Sequence, residues 1–328
     1  MQVTTVGSLS EGEILRRIQE RTGRAAAEIL GPGDDAAVIA TSGAVVATTD
    51  TLVDGPDFRT PWTSGYDLGW KAAAVNLADV AAMGARPTSL LVALAMPNDT
   101  DIVFVERLAD GLREACEALA PGCAVVGGDL TQSAVLTVAV TALGDLDGRP
   151  AVTRAGARAG DVVALAGEMG LAGRGLALLF ERFRDGRGAP VPVDSEALTD
   201  EERRAVRMQL RPEPPIGLGT LAGVAGATAM MDVSDGLALD ARRLARASEV
   251  TIDLDAAALG ADPEGALEGG EDHALLATFP EATLPPGFRA IGRVVERGDA
   301  PLAVDGAAYA GRGGWDPYRD WDGSGSAR

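Results

Sequence analysis

The residues Thr48, Thr49 and Asp50 close the apolar run Val45-Val46-Ala47, and Asp54 and Asp57 follow soon after. Carboxylates are rarely buried without a partner, so something positive is expected where this strand ends. Strand side chains alternate in direction, so Thr49 and Asp50 are placed to serve neighbouring ions. The chain repeats the theme. GPGDDAAV (31–38) sets Asp34 and Asp35 ahead of an apolar strand. That is an oxygen-ligand set for a hard cation such as Mg²⁺, although paired Asp residues more often mark only a turn. WKAAAVNLADVAAMGA (70–85) places Lys71, Val75, Asp79 and Met83 on one stripe of a small-residue helix. Something can pack very close to such a helix, and a Lys71–Asp79 surface arrangement is the plain alternative for the charges. VVGGDL (125–130) reads as a strand followed by a Gly127-Gly128-Asp129 turn with room for a phosphate. MMDVSDGLALD (230–240) ends a strand at Asp232, offers Ser234 as a helix N-cap and puts Asp235 in the first turn, where the dipole favours an anion. LEGGEDHALLATF (267–279) is a further turn-to-strand junction with Glu271, Asp272 and His273. By contrast, GEMGLAGRG (167–175) lacks the spacing of a dinucleotide fingerprint and reads as a glycine-rich turn before a helix.

Composition narrows the chemistry. A formal charge of −19 disfavours nucleic acid and anionic membrane surfaces as partners. Of 29 basic residues one is a lysine, Lys71, and it follows Trp70 rather than the glycine of a Walker A loop. The single histidine, His273, leaves no room for a His-rich metal site. Cys116 and Cys123 form neither a CxxC pair nor a disulfide framework, which fits a reducing cytoplasm and two small core residues. No apolar run approaches the ~20 residues of a membrane helix.

The elements that must position these groups alternate. An amphipathic helix is expected over 10–30, behind Ser10. Strands are expected near 36–40, 44–49, 89–95, 124–127 and 135–143, with helices over 65–83 and 100–119. At 328 residues two domains are expected, an α/β unit over 1–148 and a second over 149–328. The connector RAGARAGD (154–161) leads to a strand at 161–167, a helix at 175–183 and strands near 229–233, 250–254, 274–279 and 289–295. Residues 184–200 and the last ten or so read as loops or tail.

Together GDDAAV, TTDTLV, KAAAVNLADVAAMGA, VGGDL, TRAGARAGD, DVSDGL and GGEDH resemble, in order and spacing, the thiamine-monophosphate kinase family of the aminoimidazole-ribonucleotide-synthetase-like ATP-using superfamily. The likeness spans roughly residues 7–318. It implies an α/β (α+β) two-domain synthetase-like fold, an N-terminal sheet that pairs in a homodimer, and a C-terminal domain with a mixed sheet. It implies transfer of the ATP γ-phosphoryl to thiamine monophosphate, with ATP as co-substrate and several Mg²⁺ ions. Matched residue by residue, the ion ligands are Asp35, Thr48, Thr49, Asp50, Asp79, Asp129, Asp232 and Asp235. ATP contacts fall on Gly128, Asp129, Arg154 and Ser234. The thiamine side falls on Asp57, Glu271 and Trp315, and the catalytic core is Asp50, Asp129 and Arg154. The family's usual histidine is Asp57 here, its tyrosine is His273, and its GGDT reads Gly-Gly-Asp-Leu. Other phosphate-activating enzymes of the superfamily fit less well. The N-terminal reactive Cys and Lys of a selenophosphate synthetase are absent, as is the C-terminal cysteine of a hydrogenase-maturation relative. A non-catalytic acidic metal- or nucleotide-binding relative is the reading from another class.

Overall fold

The computed structural model describes residues 3–32, 36–281 and 284–314. Its first half runs α1 (Glu11–Gln19), β1 (Glu28–Leu30), β2 (Val38–Ile39), β3 (Val45–Val53), α2 (Gly65–Ala82), β4 (Arg86–Met96), α3 (Ile102–Leu119), β5 (Ala124–Gln132) and β6 (Thr137–Asp145). The Ser10 hydroxyl accepts the Glu13 N–H and starts α1. The helix expected over 10–30 stops at Gln19, because Thr22 and Gly23 are poor helix formers and the chain turns into the β1–β2 hairpin.

Strands β3, β6, β4 and β5 form a four-stranded sheet in that order, with β4–β5 parallel and the other pairs antiparallel. One face packs on α2 and α3 through Leu68, Leu77, Leu90, Leu112, Val138 and Val140. Among the described residues much of the other face is exposed, with Leu91 37% exposed there, while Ala25, Ala37 and Ile39 cover Ala124 and Val126. Two sequence expectations change. β3 does not end at Asp50 but continues to Val53 as a half-exposed edge strand, so Thr48–Asp50 lie mid-strand. The Gly127-Gly128-Asp129 segment is likewise strand rather than turn. Leu90 pairs with Val125 and Leu91 with Gly127, so a bulge takes up Val126 and β5 runs on to Gln132.

Helix α2 opens with a Ser64–Asp67 capping box and is buried on nearly every side, which fits a helix without a polar face. Its small residues let α3 approach until a Cβ on Gly69 would stand 2.0 Å from the Leu108 carbonyl oxygen. On its other sides α2 meets β3 and β6 from the first half, and α6 and β8 from the second.

The second half runs β7 (Val162–Ala166), α4 (Leu171–Arg182), α5 (Asp200–Leu210), α6 (Ile216–Ala225), β8 (Ala229–Val233), α7 (Leu237–Ser248), β9 (Thr251–Leu254), α8 (Pro263–Glu268), β10 (Ala274–Phe279), β11 (Arg289–Val295), β12 (Leu302–Val304) and β13 (Ala307–Ala308). Its mixed seven-stranded sheet has the order β13-β12-β9-β11-β7-β10-β8. The sequence reading did not foresee α5, α6 or α8. A Thr199–Glu202 capping box starts α5 where the expected loop over 184–200 ends. No helix among the described residues is long and apolar enough to cross a membrane.

Candidate active site

Helix α2 and strands β3 and β8 converge on one acidic junction. Asp79, one helical turn after Asn76, accepts a 2.8 Å hydrogen bond from the Thr48 hydroxyl. Asn76 ties its own amide to the Ala72 carbonyl and accepts the Asp50 backbone N–H at 3.1 Å. The edge strand is thereby pinned to the helix beside the two carboxylates. On β8, Asp232 is 4% exposed and meets His273 Nδ1 at 3.2 Å. Burial is the main cause that pushes the Asp79 carboxyl up to about 6, and the Asp232 charge adds to it, while the Thr48 hydroxyl pulls the other way. Burial likewise raises Asp50, with His273 opposing and Asp232, Glu271 and Asp235 reinforcing. These mutual influences place Asp50, Asp79, Asp232, Asp235, Glu271 and His273 in one electrostatic neighbourhood.

The loop after β8 differs from its sequence reading. The N-cap of α7 is Gly236, with no side-chain cap, so Ser234 is not the cap and Asp235 precedes the helix. Asp240 instead reaches back from the first turn to the loop, where its Oδ2 accepts both the Ser234 and Asp235 N–H groups at 3.1 Å. Arg243 then clamps Asp235 and Asp240, each at 2.6 Å. The Ser234 side chain, relieved of capping, lines a cleft of about 650 Å³ together with Asp57, Arg59, Phe180, Gly270 and Glu271.

On this cleft the Asp57 carboxylate accepts the Val53 N–H at 2.8 Å. Glu271 pairs with Lys71, which is 3% exposed and also donates to the Gln209 carbonyl at 3.3 Å. The surface Lys71–Asp79 arrangement is therefore not what forms: Lys71 turns into the protein toward Glu271. Burial works to raise the Glu271 carboxyl, but Lys71 and His273 together hold it below its ordinary value. Asp272 faces away, accepting the Ala172 N–H at the start of α4 at 2.8 Å, and burial pushes it up to about 6.

Strand alternation divides the remaining residues. Thr48 and Asp50 share the face of β3 turned to α2. Thr49 pairs with Thr141, and the cross-strand line Thr51–Ala139–Ala93–Asp129 puts Asp129 on that same, opposite face. Thr49 donates there to the Val140 carbonyl at 3.0 Å, and Asp129 lies exposed. A Cβ on Gly128 would stand 1.9 Å from the Val92 carbonyl oxygen, so close strand packing alone requires glycine there. Arg154 is exposed in a loop beside β8. The Thr153 carbonyl accepts the Met230 N–H, whereas Gly156 lies against Thr228, so the chain runs away from Asp232 as it passes Arg154. Asp35 and Trp315 lie outside the described residues. In sum, Thr48, Asp50, Asp79, Asp232 and Asp235 share one electrostatic neighbourhood, with Asp57, Ser234 and Glu271 along the cleft; Thr49 and Asp129 lie on the opposite face of the sheet, and the backbone at Arg154 runs away from Asp232. The sequence reading missed Asn76, whose place one turn before Asp79 was visible, and Asp240 with Arg243, whose roles depend on where α7 begins.

Residues 33–146 match the family of AIR synthase related proteins, N-terminal domain. That match and the mixed α/β fold define the class, an AIR-synthase-like α/β protein. Thiamine-monophosphate kinase of Mycobacterium tuberculosis (strain ATCC 25618 / H37Rv) is 41% identical over 338 aligned positions, covering 98% of this chain and 96% of that protein. The Corynebacterium glutamicum enzyme of the same name is 39% identical, covering 95% and 94%. Among solved structures, AaThiL complexed with AMPPCP and TMP superposes with a TM-score of 0.73 at 34% identity, covering 84% of this chain and 88% of that one. The chain belongs to the thiamine-monophosphate kinase family.

Proposed function

We propose that this protein transfers the γ-phosphoryl group of ATP to thiamine monophosphate, giving thiamine diphosphate and ADP. The observation that carries the reading is the junction of β3, α2 and β8, where Asp50, Asp79 and Asp232 crowd like charges into a partly buried place. Such a set is costly until cations arrive. Among the described residues no three acidic, His or Cys side chains form a closed ligand group. Mg²⁺ keeps several waters and is commonly held by one or two carboxylates plus substrate phosphates. Several such ions would neutralise charge on the donor and acceptor phosphates.

In this reading Asp79, Asp50, Asp232 and Asp235, with the Thr48 hydroxyl, hold the ion side, and Asp35, Thr49 and Asp129 complete it. ATP meets Gly128, Asp129, Ser234 and Arg154, the last supplying a fixed cation. Asp57, Glu271 and Trp315 face the acceptor. The reaction is an in-line displacement. An acceptor phosphate oxygen, already ionised at neutral pH, forms the new P–O bond, and the bond from the γ-phosphorus to the bridging oxygen breaks, with its electrons leaving on ADP. No protein base is required, and catalysis reduces to positioning and electrostatics. The face of the four-stranded sheet that carries Thr49, Asp129 and Leu91 is the surface on which a second copy completes the site, making the active protein a homodimer. The halves 1–148 and 149–328 act as two domains, in a cytoplasmic enzyme.

The test incubates the protein with ATP, Mg²⁺ and thiamine monophosphate and follows both products. Thiamine diphosphate and ADP should appear in equal amounts, and ADP without thiamine diphosphate would overturn the acceptor assignment. Light scattering should give roughly twice the chain mass.

A further inference from the structure

We infer that Lys71 is a positioning residue for the acceptor: through its ion pair with Glu271 it ties the acceptor-side loop to the same helix that carries Asp79. The inference rests on the reaction proposed above. Lys71 is the chain's single lysine and is 3% exposed. A buried ammonium costs several kcal/mol unless it is paired and hydrogen-bonded. Its partners come from two other elements. One is the Glu271 carboxylate. The other is Gln209 on α5, whose side-chain oxygen accepts from Lys71 at 3.2 Å when its amide donates to the Ala172 carbonyl at 3.1 Å.

The loop that Lys71 reaches is held in an unusual backbone. Glu271 has φ 72° and His273 φ 52°, both left-handed for residues with side chains. Each is strained and persists only where surrounding contacts over-determine it. Three of those contacts come from the second half: Glu271 N–H to the Ser234 carbonyl, His273 N–H to the Val233 carbonyl, and Asp272 to the Ala172 N–H. They fix the backbone but leave the direction of the Glu271 side chain open. The Lys71 ammonium, which comes from α2, sets that direction together with the Gln209 side chain of α5.

Eight residues on, the same helix presents Asp79, about 12 Å further along its axis. Because α2 is buried on nearly every side and packed closely on α3, it acts as a ruler between the ion side and the acceptor side. Lys71 does not touch the reacting atoms in this arrangement. It governs where Glu271 meets the acceptor.

The experiment measures steady-state kinetics of Lys71→Met, Glu271→Gln and the double variant with both substrates. Lys71→Met is expected to raise the KM for thiamine monophosphate about tenfold and to leave the KM for ATP within about twofold. In the Glu271→Gln background the same substitution should add little, since its route is already cut. Lys71→Arg, which keeps the cation, should recover most of the acceptor affinity. If Lys71→Met does not fold, Lys71→Gln supplies the neutral side chain for the same comparison. An unchanged acceptor KM in an active protein, equal losses for both substrates, or fully additive effects in the double variant would each overturn the inference alone. Absence of thiamine monophosphate turnover by the unsubstituted protein would overturn the reaction reading, and this inference with it.

Discussion

Asp79 and Glu271 carry the two sides of the proposed site, yet they are held by opposite means. Asp79 projects from a long helix, is met by a hydroxyl, and feels Asp232 and Asp50 as its nearest reinforcing charges. Its carboxyl is pushed up to about 6. Glu271 sits in a left-handed loop and has a buried ammonium of its own, so despite burial its carboxyl falls below its ordinary value. In the proposed reading, the place of Asp79 lacks a cation that bound ions would supply, whereas Glu271 already has one in Lys71. A substitution should therefore act on the reaction at the first place and on acceptor affinity or local stability at the second.

The strongest way to break that contrast is Asp79→Asn. It should lower kcat/KM by about 10²-fold or more, some 2.7 kcal/mol of transition-state stabilisation, and reduce the rise in melting temperature that Mg²⁺ gives. The metal-free variant should melt no lower than the parent, because a costly buried charge has gone. Near-normal turnover would sink the idea of an unfinished ion side.

Asp272→Asn tests whether burial also taxes the acceptor loop. The Asp272 carboxyl lies near 3.8 in the ordinary state and is raised to about 6 in the fold. The fold thus favours its protonated form, a stabilisation fully present below about pH 3.8 and lost as pH rises through about 6. The asparagine variant escapes this loss and keeps an oxygen for the Ala172 N–H. Its stability relative to the parent should grow by about 1–1.5 kcal/mol between about pH 5 and about pH 7.5. Urea melts at the two pH values measure it, and a flat difference would show that the site relaxes or admits water.

The smallest effect belongs to Asp57, which lines the cleft and which the proposed reading sets, in place of the family's usual histidine, beside a cationic acceptor. Asp57→Asn can still accept the Val53 N–H, so the loop should survive. The KM for thiamine monophosphate should rise about threefold, or under 1 kcal/mol, with the ATP value unchanged. Equal acceptor KM values would mean that Asp57 serves the loop and not the ligand.

The sequence made the ion side legible because regular elements carry it. Thr48 and Asp50 announce a shared face by their spacing, and the Ala-rich setting of Asp79 announces close packing. Where tertiary contacts decide, local patterns misled. Gly127-Gly128 looks like a turn, but the parallel partner β4 draws it into the ladder with a bulge. Ser234 looks like a cap, but α7 starts two residues later behind Gly236, and Asp240 reaches back to hold the loop N–H groups of Ser234 and Asp235. Lys71 carries no local signal for Glu271, which is distant in sequence and on another element. The strands at 229–233 and 274–279 were readable as short, mostly apolar runs. Helices α5 and α6 were not, because their charged and glycine-rich sequences resemble loops until α2 and α4 cover their apolar sides.

The solitary lysine has a practical consequence. A reagent that acylates primary amines meets arginines across the protein surface and cannot modify them under mild conditions. The one side-chain amine it can attack is sealed between α2, α5 and the loop at Glu271. The rate at which that amine is acylated is therefore a clock for the opening of this seam, readable by mass on the intact chain without any engineered probe.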